Sequence, residues 1–176
     1  MEYMLEQMLK RRSVRIYTEE AIPEEKLEAI LQAGLNAPSG RNRKPLDLIL
    51  VTEREKLEKM AEARAMGAQM LAKAGAAIVV VGNPETSDTW IEDCSIAMAY
   101  MHLAADAMGI GSCWIQGRMR MASDGSTTDD VVRELTGYPQ PYRLEAILSL
   151  GMIDKHPEAN QLVDVDKCAR VHKGQW

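Results

Sequence analysis

Lys10, Arg11, Arg12, Ser13, Val14 and Arg15 put four cations into six residues of a chain whose formal net charge is -5. No Asp or Glu lies between Glu6 and Glu19, nor between Glu28 and Asp47, and the second window holds Arg41, Arg43 and Lys44. A guanidinium fork matches the oxygens of a phosphate bidentately, and Ser hydroxyls and backbone N–H groups complete such sites. The chemistry on offer is anion binding. The plainer alternative is solvated charge at helix ends and in loops, which the helix dipole also favours. The segment APSGRNRKP (37–45) combines Pro, Ser, Gly and Asn in a tight turn whose amides and side chains can face a ligand. Beside the cationic cluster, and with three cations of its own, it reads as part of an anion and heterocycle site.

Other constellations lead elsewhere. GIGSCW (109–114) has glycines at dinucleotide-fingerprint spacing, but that motif needs a strand before it and a helix after it. Here a helix precedes and a strand follows, so Gly109 reads as a helix terminator. His102, His156 and His172 stand apart, and Cys94, Cys113 and Cys168 are not at ligand spacing, which argues against a metal centre. Cys113 reads as a small buried residue beside Trp114 rather than a nucleophile, and His102 as a satisfied core histidine. Glu92 and Asp93 are adjacent on a helix, point apart, and cannot form a glycosidase-like pair. With no acid, base or nucleophile set in view, hard chemistry would fall to a bound cofactor carrying a phosphate.

The elements that must position these residues follow from periodicity. Residues 2–11 place Met4, Leu5, Met8 and Leu9 at helical spacing. VRIY reads as short extended chain. Pro23 opens a second helix with a buried face of Leu27, Ile30, Leu31 and Leu35, which Gly34, Asn36 and Pro38 terminate. Strands are expected at 46–51, 76–82, 112–116 and 142–151, and helices at 53–73, 88–109 and 126–137. The 76–82 run is apolar throughout, as a strand buried on both faces would be. The 88–109 helix is apolar nearly all round, which suits the centre of the fold or a subunit contact. Strands interleaved with helices give an α/β or α+β class, with one domain over 1–176. The pI of 5.3 argues against a nucleic-acid partner, no stretch could span a membrane, and three cysteines without CxxC suggest a reduced, cytoplasmic setting.

Arg11, Arg12, Ser13, Arg15 and Tyr17, then Ala37, Pro38, Ser39, Asn42 and Pro45, then Gly109, Gly111, Ser112, Cys113 and Trp114, and finally Val171, His172 and Trp176 resemble, in order, the motifs of the nitroreductase family of FMN-dependent flavoproteins. The resemblance spans nearly the whole chain. It implies a mixed sheet flanked by helices in an intertwined homodimer with two FMN sites at the interface. In that arrangement Arg11, Arg12, Ser13 and Arg15 hold the phosphate and ribityl chain, and Pro38, Ser39 and Asn42 reach the same flavin from the other subunit. Ile115, Gln116 and Gly117 run beside the ring, with a backbone N–H near Gln116 at flavin N5, and Lys155 is the nearest cation after the last strand. NADH or NADPH is then the electron donor, and a nitro-aromatic, quinone or similar small molecule the acceptor, by ping-pong transfer. Departures from the family pattern are Lys44 where Gln is common, Leu46 where an aromatic is common, and a shortened GMIDKHPEAN loop. A flavin-dependent dehalogenase or dehydrogenase, a flavin-storage protein and a flavin-free phosphate-binding module are the alternatives.

Overall fold

A computed structural model describes residues 3–176; the expected first helix begins at residue 2, which lies outside the described residues. The elements are α1 (Tyr3–Lys10), α2 (Glu24–Leu35), β1 (Leu46–Val51), α3 (Arg54–Glu62), β2 (Ala76–Gly82), α4 (Trp90–Ala107), β3 (Gly111–Gln116), α5 (Thr128–Thr136) and β4 (Arg143–Gly151). The four strands form one sheet in the order β1-β2-β4-β3, each neighbour antiparallel. A parallel bridge between Ser13 and Ser112 adds the mixed character at the β3 edge.

β2 is buried along its whole length and feeds two cores by simple alternation. Ala77, Val79 and Val81 face Leu57, Met60 and Leu71 on the α3 and α5 side. Ala76, Ile78 and Val80 face Ile30, Met98 and Met101 on the α2 and α4 side. No described helix is long and apolar enough to cross a membrane.

α4 ends as the glycine at 109 demands. Gly109 takes φ +75°, its N–H donates to Asp106 O, and Ile110 N–H donates to Ala105 O, the paired bonds of a Schellman cap. This turns the chain straight into β3. Three expectations need correction. The helix expected over 53–73 stops at Glu62, and a separate 3-10 turn covers Gln69–Lys73. Leu35 is half exposed rather than on a buried face. Gly34 does not terminate α2; it lies in the last turn, where a Cβ would meet Met101 Sδ at 2.8 Å, so its role is close packing of α2 on α4.

Candidate active site

Residues 11–17 leave α1 and run along the outer edge of β3, where Val14 N–H donates to Ser112 O at 2.9 Å. Two glycines make room. Gly111 and Gly151 face each other across β3 and β4. A Cβ on Gly111 would run into Ile153 and Val14, and one on Gly151 into the Tyr17 ring. Tyr17 then donates its hydroxyl to Val14 O at 2.8 Å and sits 2.6 Å from Ser149 Oγ.

The cations of this segment are held from below by α4. Arg11 Nη1 lies 2.8 Å from His102 Nε2, and His102 Nδ1 lies 2.5 Å from Ser112 Oγ. A guanidinium only donates, so Nε2 is the acceptor, the ring hydrogen sits on Nδ1, and it points to Ser112 Oγ. Burial, helped by the adjacent Arg11 charge, pushes the His102 pKa down to about 4, so the ring stays neutral. Arg12 donates its backbone N–H to Asp106 Oδ1 at 3.3 Å, and its guanidinium donates to the Glu158 carbonyl. Asp106 also meets His156 Nε2 at 2.8 Å. Arg15 is exposed, and with Ser13, Tyr17, Lys155 and His156 it lines a cavity of about 410 Å³. Burial raises the Cys113 thiol pKa, which removes it as a nucleophile; Arg15 and Arg11 oppose the shift, so both guanidiniums act on this same strand.

The far end of β3 has a free edge. Gly117 N–H donates to Glu145 O, so residues 117 and 145 form a hydrogen-bonded pair and 116 and 146 do not. Gln116 therefore shares the parity of Ser112, whose backbone faces outward to Val14. Its N–H is directed away from β4, four residues and about 13 Å beyond Ser112. Arg64 Nη1 reaches the Gln116 carbonyl at 3.5 Å on this outer side.

The 37–45 turn is built differently. Arg41, Asn42 and Lys44 have φ of 52°, 55° and 47°, three left-handed non-glycine residues in four. Such backbone costs about 1–3 kcal/mol per residue and clusters at functional sites. A buried anchor holds it: Gly40 N–H donates to Asp93 Oδ1 at 2.8 Å, and Thr89 Oγ1 donates to Asp93 Oδ2 at 3.2 Å. Ser39 Oγ accepts from Lys44 N–H at 2.9 Å. Pro38 and Asn42 are exposed.

Within one chain the structure thus gathers Arg11, Arg12, Ser13, Arg15 and Lys155 at the start of β3, with Ile115, Gln116 and Gly117 farther along the same edge. It does not bring Pro38, Ser39 and Asn42 to them. The turn leads into β1, the opposite edge of the sheet, three strand spacings or about 14 Å away. The supporting residues His102, Asp106, His156 and Asp93 were not legible as such. His102 and Asp106 carry one available signal, an i,i+4 polar pair in the otherwise apolar second half of α4.

A model of the nitroreductase family matches residues 8–69 and 62–152 of this chain. An Archaeoglobus fulgidus protein provisionally named NADH dehydrogenase/NAD(P)H nitroreductase is 37% identical, with the match covering 100% of both chains. Among solved structures, an FMN-dependent nitroreductase from Clostridium difficile R20291 superposes with TM-score 0.91 at 38% identity, covering 98% of this chain and 99% of that one. A Parabacteroides distasonis protein provisionally named NADH dehydrogenase/NAD(P)H nitroreductase gives TM-score 0.88 at 31% identity over 100% of both chains.

Proposed function

The chain belongs to the nitroreductase family, and from that premise we propose that it is a homodimeric, FMN-dependent NAD(P)H oxidoreductase acting on nitro-aromatic, quinone or similar acceptors. The observation that carries the reading is the shared edge of β3. Arg11, Ser13 and Arg15 lie at one end of it, and the outward N–H of Gln116 lies about 13 Å along it. Those residues fit the cofactor: cations where a phosphate would sit, and a ring-edge donor where a flat heterocycle would lie.

In this reading Arg11, Arg12, Arg15 and Lys155 neutralise the phosphate, each charge-assisted bond contributing roughly 1.5–3 kcal/mol. Ser13 holds the ribityl chain, and Ile115 and Gly117 flank the ring. His102 is the positioning residue for Arg11, because its neutral Nε2 accepts from the guanidinium. FMN, when bound, supplies hydride uptake at N5 from NAD(P)H and its delivery to the acceptor. Donor and acceptor would stack in turn on the same face of the flavin, a ping-pong order that needs no side-chain base.

Pro38, Ser39 and Asn42 complete the site from a second subunit, since their own chain keeps them at the far sheet edge. Apolar surface supports that partner. α1 exposes Tyr3, Met4 and Met8, α4 exposes Ile96 and Tyr100, and the tail carries a fully exposed Trp176 stacked on its neighbour His172. The free thiols Cys94 and Cys113 are buried, in keeping with a reduced cytoplasmic setting.

The test is the visible spectrum of the purified protein before and after anaerobic NADH, then NADPH. Flavin bands that bleach with either nucleotide support the reading and name the donor. A colourless protein that takes up no added FMN overturns it, and a yellow protein that neither nucleotide bleaches overturns the reductase assignment.

A further inference from the structure

The loop after β4 carries a histidine whose surroundings fix its charge. His156 Nε2 lies 2.8 Å from Asp106 Oδ1, and His156 Nδ1 lies 2.7 Å from the Pro157 carbonyl oxygen. Both partners are acceptors, so both ring nitrogens must carry hydrogen for the two bonds to form. The group satisfied by this geometry is the imidazolium. It ties the loop to α4 at the same carboxylate oxygen that receives the Arg12 N–H. Two further bonds fasten the loop to the end of α1 and the segment that follows it: the Arg12 guanidinium donates to Glu158 O, and Asn160 N–H donates to Leu9 O at 2.8 Å.

We propose that His156 is a positioning residue for the phosphate end of the cofactor: as an imidazolium clipped to Asp106, it holds the loop that carries Lys155 over Ser13 and Arg15 and cancels the Asp106 charge beneath them. This rests on the flavin reading above. Asp106 is nearly buried, with its side chain 6% exposed, and without a neighbouring proton it would present an anion to the phosphate. The groups facing the ring are few. Asp106 comes from α4 and Arg12 from the segment after α1. Asp154 and Lys155 of its own loop line the same cavity, and Lys10 acts on Asp106 from α1. The bond to Asp106 raises the His156 pKa above its ordinary value; burial and Arg12 pull the other way. The clip is closed below that raised value and opens as pH rises through it.

FMN and riboflavin affinities of the flavin-free full chain, read by fluorescence quenching from about pH 6 to about pH 9, test this, because an unperturbed imidazole titrates within that span. Wild-type affinity for FMN should fall about tenfold as the clip opens, the loss of one charge-assisted contact. H156Q should bind FMN about tenfold more weakly at the acid end and lose that fall. H156R, which keeps its charge, should bind tightly throughout. Riboflavin, which has no phosphate, should not distinguish the three. The inference is overturned if H156Q keeps the wild-type FMN profile, or if it weakens riboflavin as much as FMN. A wild-type chain that binds neither flavin overturns the flavin reading as well, which separates the two failures.

Discussion

Asp93 and Asp106 hang from the two ends of α4, thirteen residues and about 20 Å apart along the helix axis, and each carboxylate fastens a different half of the proposed flavin site. Asp93 receives the Gly40 N–H of the strained turn, and Asp106 receives the Arg12 N–H of the cationic segment. One helix thus sets the position of both halves, and within one chain they lie at opposite edges of the sheet. A second copy, brought against the exposed apolar residues of α1 and α4, can supply the missing half.

Mixed dimers test that division of labour. R11A removes one half of the site, and S39A/N42A removes the other. Homodimers of either variant should lose FMN. A dimer containing one of each should retain one flavin per two chains, because one of its sites draws Arg11 and the turn from unaltered segments of different chains. Differentially tagged co-purification followed by flavin quantitation measures it. Mixed dimers with no flavin would mean that both halves come from one chain.

Asp93→Ala should destabilise the fold by about 1–3 kcal/mol, the cost of leaving buried donors unsatisfied. Gly40 N–H and Thr89 Oγ1 both lose their acceptor, while β3 and the Arg11 segment are untouched. Urea unfolding gives the stability change. Amide exchange should quicken at Gly40 and not at Val14. Equal protection at Gly40 in variant and wild type would remove Asp93 as the anchor of the turn.

How much of this was legible in the sequence depends on the range of the interaction. The strands were, because AAIVVVG and YRLEAILSLG carry their burial in their composition. The cationic cluster was, because acids are missing from its own neighbourhood. The close approach of residues 13–17 to the sheet was not. It depends on Gly111 and Gly151 meeting across two strands forty residues apart, and register is not visible in either segment alone. Leu35 misled because helical periodicity marks an apolar face without saying whether the same chain covers it. Asp93 looked like half of a failed carboxylate pair because its partner is a backbone N–H from a distant turn. His156 sat in a loop with no periodicity at all, so only the fold connects it to Asp106.

Gly151→Ala should displace Tyr17 from the β4 surface, since the added carbon would occupy the place of its ring. The hydroxyl bonds to Val14 O and Ser149 Oγ go with it. Overpacking of this kind typically costs about 1–3 kcal/mol. Tyr17→Phe, which keeps the ring and drops the hydroxyl, should cost about 1 kcal/mol. Thermal unfolding of both variants checks the order. If Tyr17→Phe were the more damaging, the hydroxyl rather than the ring would be what holds segment 13–17 in place.

His102 makes a prediction about acid that is opposite in sign to that of His156. In the fold its pKa lies at about 4, pushed down by burial and by Arg11, whereas an exposed imidazole titrates near 6.5. Between those values the unfolded chain binds a proton that the folded chain refuses. Stability therefore falls as pH drops from about 6.5 to about 4 and is flat, for this group, above 6.5. The gap corresponds to about 3 kcal/mol at the acid end. His102→Gln can still accept from Arg11 and donate to Ser112 but has no proton to refuse, so it should flatten this part of the profile. His156, whose pKa is raised by Asp106, instead contributes stability below 6.5 that is lost as pH rises through its folded value. Denaturant midpoints of wild type, His102→Gln and His156→Gln, taken from about pH 4 to about pH 9, separate the two contributions, because the first acts below an ordinary imidazole pKa and the second above it. A wild-type acid limb that survives unchanged in His102→Gln would show that the ring is not held neutral by Arg11 and burial, and the tautomer assigned to it would fall with that result.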